Sequence, residues 1–124
     1  MTLSSYKKGL WAEYFCIVYL FFCGYRVLAR RYRTPLGEVD IIASKGKDLV
    51  FIEVKARGNI EKGSQAVSKT AMQRIENAAK TWLAKNAFRH FENMHFDVLV
   101  VTSFYKKPEW YKNAWQTEGF SGRI

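Results

Sequence analysis

Residues 37–57 constrain the fold of this chain more than any other stretch, because ionisable side chains interrupt two apolar runs there. The runs cover residues 39–43 and 49–52, and a short polar segment around Gly46 joins them. Two apolar runs separated by such a segment are typical of a β-hairpin with its turn near the glycine. The stretch therefore predicts two adjacent antiparallel strands that bear charged residues within an otherwise apolar sheet.

The period of a β-strand decides which of these charged residues lie together. Side chains alternate between the two faces, so Glu38 and Asp40 share one face of the first strand. Glu53 and Lys55 share one face of the second strand, and Arg57 continues that set. Charges beside an apolar sheet are costly unless they pair with one another or hold a metal ion. The hairpin is thus either a cross-strand ladder of salt bridges or a metal site.

A divalent metal site would give these residues a definite chemistry. Mg²⁺ binds through one or two carboxylates and keeps several waters, which leaves room for a substrate phosphate. Asp40 and Glu53, on adjacent strands, meet that requirement. Lys55 would bring a positive charge to the phosphate or to the attacking water, where negative charge grows during phosphodiester hydrolysis.

The charge balance of the chain favours a polyanionic partner. The 124 residues, a length typical of one domain, include 20 Lys and Arg against 11 Asp and Glu, for a net charge of +9. The densest basic cluster consists of Arg30, Arg31 and Arg33 around Tyr32. Two interpretations fit this cluster: contacts to nucleic-acid phosphates, or the charged edge of an outer strand that discourages aggregation.

The chain begins with a helix predicted over residues 6–23. Residues 14–23 are apolar nearly all round, which is typical of a helix buried on most sides. This apolar run is too short to span a bilayer and Glu13 interrupts any signal peptide, so we expect a cytoplasmic protein without membrane contact. Glu13 lies either at a solvated edge or toward the carboxylates of the sheet. Cys16 and Cys23 are about 10 Å apart on a helix, so both are expected to be free thiols.

The second half of the chain predicts a helix followed by a strand. Small and apolar residues between positions 71 and 83 recur at three- and four-residue steps, which indicates an amphipathic helix beginning near residues 64–70. Residues 94–103 read as a buried strand, and the intervening helix predicts that it pairs parallel to the hairpin through a right-handed crossover. Residues 104–124 form an aromatic and basic tail, for which we expect one edge strand and partial order.

Taken in order, these residues resemble a known group of nucleases. Asp40 followed by Glu53-Val54-Lys55 resembles the PD-(D/E)xK signature of the restriction-endonuclease-like superfamily, with Val39 where the signature has proline. The whole chain more closely resembles the bacterial YraN-like family, which is similar to archaeal Holliday-junction resolvases. The residues that bear this likeness are Glu13, Gly-Glu-Val-Asp at 37–40, Phe-Ile-Glu-Val-Lys-Ala-Arg at 51–57, the second helix and Phe-Asp-Val at 96–98.

The resemblance implies a fold and a set of roles. The fold is α/β, a restriction-endonuclease-like core in which helices flank a central mixed sheet, with elements in the order α-β-β-β-α-β. Asp40 and Glu53 are implied to bind Mg²⁺ or Mn²⁺, with Lys55 as the catalytic lysine and Glu13 contributing to the site. Glu38 would assist through a second metal ion or the water shell.

The expected function is that of a metal-dependent DNA endonuclease, formed by one domain over residues 1–124 and acting on branched or single-stranded DNA in repair or recombination. A homodimer would be natural for an enzyme that makes paired cuts in a junction. The alternative is a non-catalytic nucleic-acid-binding or adaptor protein that keeps the carboxylates for structure. In either case, the residues expected to hold the phosphate backbone are Arg30, Arg31, Arg33, Arg57 and Lys69.

Overall fold

In a computed structural model, the chain forms a five-stranded mixed sheet with a helix on each face. The structure describes residues 5–56, 67–86 and 90–116. This arrangement confirms the predicted fold class, the predicted order of elements and the edge strand expected in the aromatic tail, which is β5. The elements are α1 (Ser5–Phe22), β1 (Arg26–Thr34), β2 (Gly37–Lys45), β3 (Asp48–Ala56), α2 (Lys69–Lys85), β4 (Asn93–Val101) and β5 (Glu109–Trp115).

The five strands lie side by side in sequence order. β1, β2 and β3 pair antiparallel, β4 pairs parallel to β3, and β5 pairs antiparallel to β4. Gly46 lies in the turn between β2 and β3 with φ of 60°, a conformation that glycine adopts without steric cost. The parallel pair confirms the crossover connection, while its handedness stays a prediction.

Each helix buries one stripe of side chains against its own face of the sheet. α2 begins after Ser68, whose hydroxyl accepts a hydrogen bond of 3.1 Å from the Ala71 N–H and caps the helix. Its buried residues pack on one face of the sheet, and those of α1 pack on the other. The α2 side contains Ile75, Ala78, Ala79 and Trp82 against Val39, Ile42, Phe51 and Phe96, and the α1 side contains Ala12, Cys16 and Leu20 against Ile41, Ala43, Val50, Ile52 and Leu99.

The prediction that α1 is buried on most sides is wrong. Its fully buried residues are confined to the stripe that packs on the sheet, since no described element covers the opposite side. An apolar sequence shows that each residue favours burial, but it does not show whether the fold has another layer that would bury it. Five large side chains on the outer side are exposed by 47% to 80%, namely Trp11, Tyr14, Val18, Phe21 and Phe22. No described helix is long and apolar enough to cross a membrane.

Both cysteines are free, as the helical spacing predicts. Cys16 lies in the buried stripe of α1, and burial raises the pKa of its thiol to about 12. The thiol is therefore protonated at neutral pH and behaves as a small apolar group.

Candidate active site

The hairpin opens at the position of its acidic residues. Regular pairing between β2 and β3 ends with Ile41 opposite Ile52. One residue beyond, Oδ2 of Asp40 accepts a hydrogen bond of 2.8 Å from the backbone N–H of Val54. A carboxylate thus takes the place of a strand carbonyl where the two strands separate, and satisfies an N–H that would otherwise lack a partner there.

Asp40, Glu53 and Lys55 are in contact at this opening. The carboxyl groups of Asp40 and Glu53 are close enough for Asp40 to raise the pKa of Glu53, and Nζ of Lys55 lies 3.6 Å from Oε2 of Glu53. The Lys55 and Glu53 side chains are only 23% and 16% exposed, so their interaction is shielded from solvent. The structure therefore brings these three predicted site residues together, while their roles stay predictions.

Burial controls the protonation of Glu53. Desolvation, followed by the hydrogen bond and the negative charge of Asp40, raises the pKa of Glu53 to about 9, although Lys55 acts to lower it. At neutral pH and without a metal ion, Glu53 therefore retains its proton. The retained proton marks an excess of negative charge that a bound cation would neutralise.

Glu13 of α1 lies near the same carboxyl pair. Burial is the largest cause that raises the pKa of Glu13, and the negative charge of Asp40 is the next. Oε1 of Glu13 is buried and has no hydrogen-bond partner among the described residues. A buried oxygen without a partner is costly, so this geometry favours the interpretation in which Glu13 points toward the sheet carboxylates over the solvated edge.

The donor set fits a hard divalent cation that uses few protein ligands. Asp40 and Glu53 provide two adjacent carboxylates, and Glu13 provides a buried oxygen that is not hydrogen-bonded. Within the described ranges, no three His, Cys, Asp or Glu side chains are arranged to hold a metal ion by themselves. Mg²⁺ does not need such a group, because it keeps waters and takes oxygen atoms from a substrate phosphate. Asp40 and Glu53 are thus the residues that would hold the ion.

Glu38 lies apart from these carboxylates. It is exposed on β2, where it is the register partner of Arg33 on β1. In the described structure, no hydrogen bond or ion pair joins its carboxylate to Asp40 or Glu53. A direct contribution of Glu38 to metal binding stays a prediction, and no contact between Glu38 and the other carboxylates in the described structure supports it.

The β1 arginines lie close enough to the site to act on its charges. Arg31, Arg30 and Arg33, in that order, lower the pKa of Glu13 through their positive charge. Arg31 has φ of 50°, an uncommon backbone conformation for a residue with a side chain, and it lies next to the register pair of Arg30 with Ile41. The structure thus places the predicted basic cluster near Glu13. Lys69 is exposed at the start of α2, and Arg57 lies outside the described residues.

Comparison with known proteins assigns the chain to a family. Residues 12–101 match the family model described as "Uncharacterised protein family UPF0102". The chain belongs to the UPF0102 family. A UPF0102 protein of Nitrobacter winogradskyi is 41% identical over 82% of this chain and 86% of its own length, and one of Rhizobium etli is 45% identical over 80% and 81%. The YraN-like resemblance is therefore confirmed, and the family description names no activity.

Among solved structures, the UPF0102 chain is similar to Hjc of Archaeoglobus fulgidus, a Holliday junction resolvase from an archaeal hyperthermophile. The two share 19% sequence identity with a TM-score of 0.48, over 83% of this chain and 79% of the other. At this identity and TM-score, the similarity says nothing about the activity of the UPF0102 chain.

A buried acid of this UPF0102 protein has a structural role that the sequence pattern did not indicate. The carboxylate of Asp97, on β4, accepts hydrogen bonds of 2.8 Å from Nε1 of Trp110 and from the backbone N–H of Asn113. Asn113 has φ of 53° and lies where the register between β4 and β5 shifts. Asp97 thus stabilises an irregular edge strand. No spacing in the sequence pairs Asp97 with Asn113, so only the register reveals this role.

The raised pKa of Glu53 predicts how the stability of the metal-free UPF0102 protein depends on pH. The ordinary pKa of 4.5 applies to the unfolded chain, so between about 4.5 and about 9 only the folded state holds the proton. Stability should therefore fall as pH rises through this window and level off above it. Glu53→Gln removes this proton uptake and should give a flatter profile, with a higher melting temperature than the wild type near pH 8.

Thermal denaturation in EDTA across this pH range measures the effect. Glu109→Gln, which changes an exposed glutamate on β5, is the matched control and should follow the wild-type profile. If the Glu53→Gln and wild-type profiles run parallel, Glu53 does not carry the raised pKa.

Proposed function

We propose that this chain is a divalent-metal-dependent DNA endonuclease. The observation that carries the proposal is the contact of two half-buried carboxyl groups and a lysine, Asp40, Glu53 and Lys55, where β2 and β3 separate. A salt-bridge ladder would leave each carboxylate with its own cation, whereas here Asp40 and Glu53 adjoin one lysine, which contacts Glu53, and the negative charge of Asp40 raises the pKa of Glu53. Such a site has a deficit of positive charge, which suits a metal ion.

Each residue of the site has a distinct part in phosphodiester hydrolysis. Asp40 and Glu53 would hold Mg²⁺ or Mn²⁺, and Glu53 would give up its proton on binding the ion. Such an ion would supply Lewis-acid chemistry at the phosphate. Lys55 stabilises the negative charge that develops on the phosphate oxygens, at low exposure where that interaction is strong. Glu13 would contribute a third carboxyl group near Asp40.

The basic residues of β1 support DNA as the substrate. Arg30 and Arg33 are exposed, and the positive charge of both reaches Glu13, so phosphates bound there would lie close to the carboxyl pair. With a net charge of +9, the protein attracts a polyanion over a longer range. Paired cuts in branched DNA would require two such sites and hence a homodimer.

A nuclease assay with calorimetry tests this function. The purified protein is incubated with labelled four-way junctions, flaps, single strands and duplexes in Mn²⁺, in Mg²⁺ and in EDTA. We expect metal-dependent cleavage of at least one of these DNAs, and calorimetric binding of Mn²⁺ that Glu53→Gln removes and Glu109→Gln retains. If the wild type neither binds Mn²⁺ nor cuts any of them, the proposal fails.

The second candidate is a non-catalytic nucleic-acid-binding or adaptor protein. One observation favours it: without an ion, Asp40 already accepts a hydrogen bond from Val54 and Glu53 pairs with Lys55, and the described structure has no third ligand in place. In that case, Glu53→Gln would change stability and leave DNA binding and cellular function intact. An endonuclease would instead lose its cellular function with this substitution, even though the variant folds and binds DNA.

A further inference from the structure

The exposed side of α1 contains an aromatic pocket, formed by Lys7, Leu10, Trp11 and Tyr14. These residues line an open cavity of about 690 Å³, and the surface they present to it is almost entirely apolar. Ligand pockets in proteins commonly range from about 300 to 1,000 Å³. Trp11 and Tyr14 are 57% and 47% exposed, so their rings are accessible to a flat partner.

Cations surround this aromatic pocket. The guanidinium of Arg30 lies 4.5 Å from the centroid of the Tyr14 ring, and Lys7 and Lys8 are exposed on the first turns of α1. The only acid in α1 is Glu13, whose carboxylate interacts with Asp40 on the sheet side of the helix. Accessible rings within a positive field are the combination that binds single-stranded nucleic acid, since bases stack on the rings and phosphates contact the cations.

The position of the pocket connects it to the carboxyl site. Tyr14 directly follows Glu13 in α1, and Arg30 acts on both residues: its guanidinium packs on the Tyr14 ring and its charge lowers the pKa of Glu13. A DNA strand that contacts Arg30 through a phosphate could therefore place a base against Trp11 and Tyr14 while its backbone approaches the carboxyl site. In a continuous duplex, every base is stacked and paired, and none can enter the pocket without being unstacked.

We propose that the aromatic pocket binds an unpaired nucleobase, so that DNA with a single-stranded segment is preferred over continuous duplex. The proposal deepens the endonuclease function and rests on it for the identity of the polymer, but base binding requires neither the metal ion nor Lys55. Two other occupants, a lipid surface and a second copy of the chain, would use the entire outer side of α1 down to Phe22. Arg30 against Tyr14 and the adjacent carboxyl site favour a nucleic-acid strand.

Fluorescence anisotropy in EDTA tests base binding separately from cleavage. Two labelled oligomers of equal length are compared at one fixed low salt concentration: oligothymidylate, and an abasic strand with the same phosphates and no bases. We expect the wild type to bind oligothymidylate more tightly. Trp11→Ala should weaken oligothymidylate binding about tenfold, the usual effect of removing one stacking ring, and leave abasic binding unchanged. Trp11→Phe, which keeps a ring, should retain most of the affinity.

Phe21→Ala is the matched control, because Phe21 is 71% exposed on the same side of α1 and about 15 Å further along the helix. It should bind both oligomers as the wild type does. Tyr14→Leu provides a second pocket variant, with the same expected loss, if Trp11→Ala fails to fold. An equal loss for both oligomers, or no loss with either pocket variant, would overturn the proposal.

The rival occupants have their own readouts. Binding to anionic phosphatidylserine vesicles that is lost in both Trp11→Ala and Phe21→Ala, with oligothymidylate affinity unchanged, would assign this side of α1 to a lipid surface and overturn the proposal. A wild-type dimer in sedimentation that Trp11→Ala dissociates, again with unchanged oligothymidylate affinity, would assign it to a second copy. Selective loss of oligothymidylate binding supports the proposal even if the metal-loaded protein cuts no DNA, so the two proposals can fail separately.

Discussion

Replacing Lys55 with glutamine is expected to reduce metal-dependent DNA cleavage by about 10²-fold or more while leaving DNA binding nearly intact. Loss of one preorganised donor at a developing negative charge typically costs 10² to 10³ in rate. Lys55 is suited to that part because its ammonium is held 3.6 Å from Glu53 and is only 23% exposed. DNA affinity should change little, since many cations contribute to binding of a backbone.

The Lys55→Gln assay must separate the catalytic effect from an effect on metal binding. Lys55 also lowers the pKa of Glu53, so its removal should strengthen proton retention by Glu53 and change the affinity of the site for a metal ion. Single-turnover rates are therefore measured at saturating Mn²⁺, confirmed by titration. Lys47→Gln removes the same charge at the far end of the hairpin and should cleave at the wild-type rate. Equal activity of Lys55→Gln and Lys47→Gln would exclude a catalytic role for Lys55.

The sequence was sufficient to predict that Glu53 and Lys55 lie together because strand alternation is strictly periodic. Two apolar runs around Gly46 define the hairpin, and the period of two then places Glu53 and Lys55 on one face. The depth of the site was not predictable. The pKa of Glu53 depends on the burial of β3 and on the closeness of Asp40. Both are set by the packing of other elements around β3, so the sequence of β3 does not predict them.

The outer side of α1 was mispredicted for a related reason. Apolar residues surround this helix, so its hydrophobic pattern does not distinguish the side on the sheet from the side that remains exposed. Only the number of layers in the fold decides which residues are covered, and of the α1 side chains that the structure describes, Ala12, Cys16 and Leu20 are fully buried. The same limit concealed Asp97, whose partners on β5 are brought to it by the strand register.

Gly37→Ala is expected to destabilise the protein by about 2 kcal/mol or more, and to lower its melting temperature by roughly 10 °C. A Cβ added at Gly37 would overlap the backbone carbonyl oxygen of Arg74 in α2 and would lie 2.7 Å from its carbonyl carbon. No side-chain rotation relieves a clash with a helix backbone, so α2 must move away from the start of β2. The contact between Asn77 Nδ2 and the carbonyl oxygen of Leu36, at 3.1 Å, lies at the same junction and would be disturbed.

Gly9→Ala is the matched control, because a Cβ at Gly9 in α1 meets nothing within 4 Å. Alanine is the better helix former, so this variant should melt at or above the wild-type temperature, with a gain of up to about 1 kcal/mol. If Gly37→Ala and Gly9→Ala have the same melting temperature, α2 does not pack on β2 as closely as described. Because Gly37 lies three residues before Asp40 on the same strand, its loss should weaken Mn²⁺ binding by displacing Asp40, whereas Lys55→Gln should slow cleavage in a fully stable protein. Gly37 would then be required because α2 lies so close to β2, and Lys55 because it stabilises the charge of the transition state.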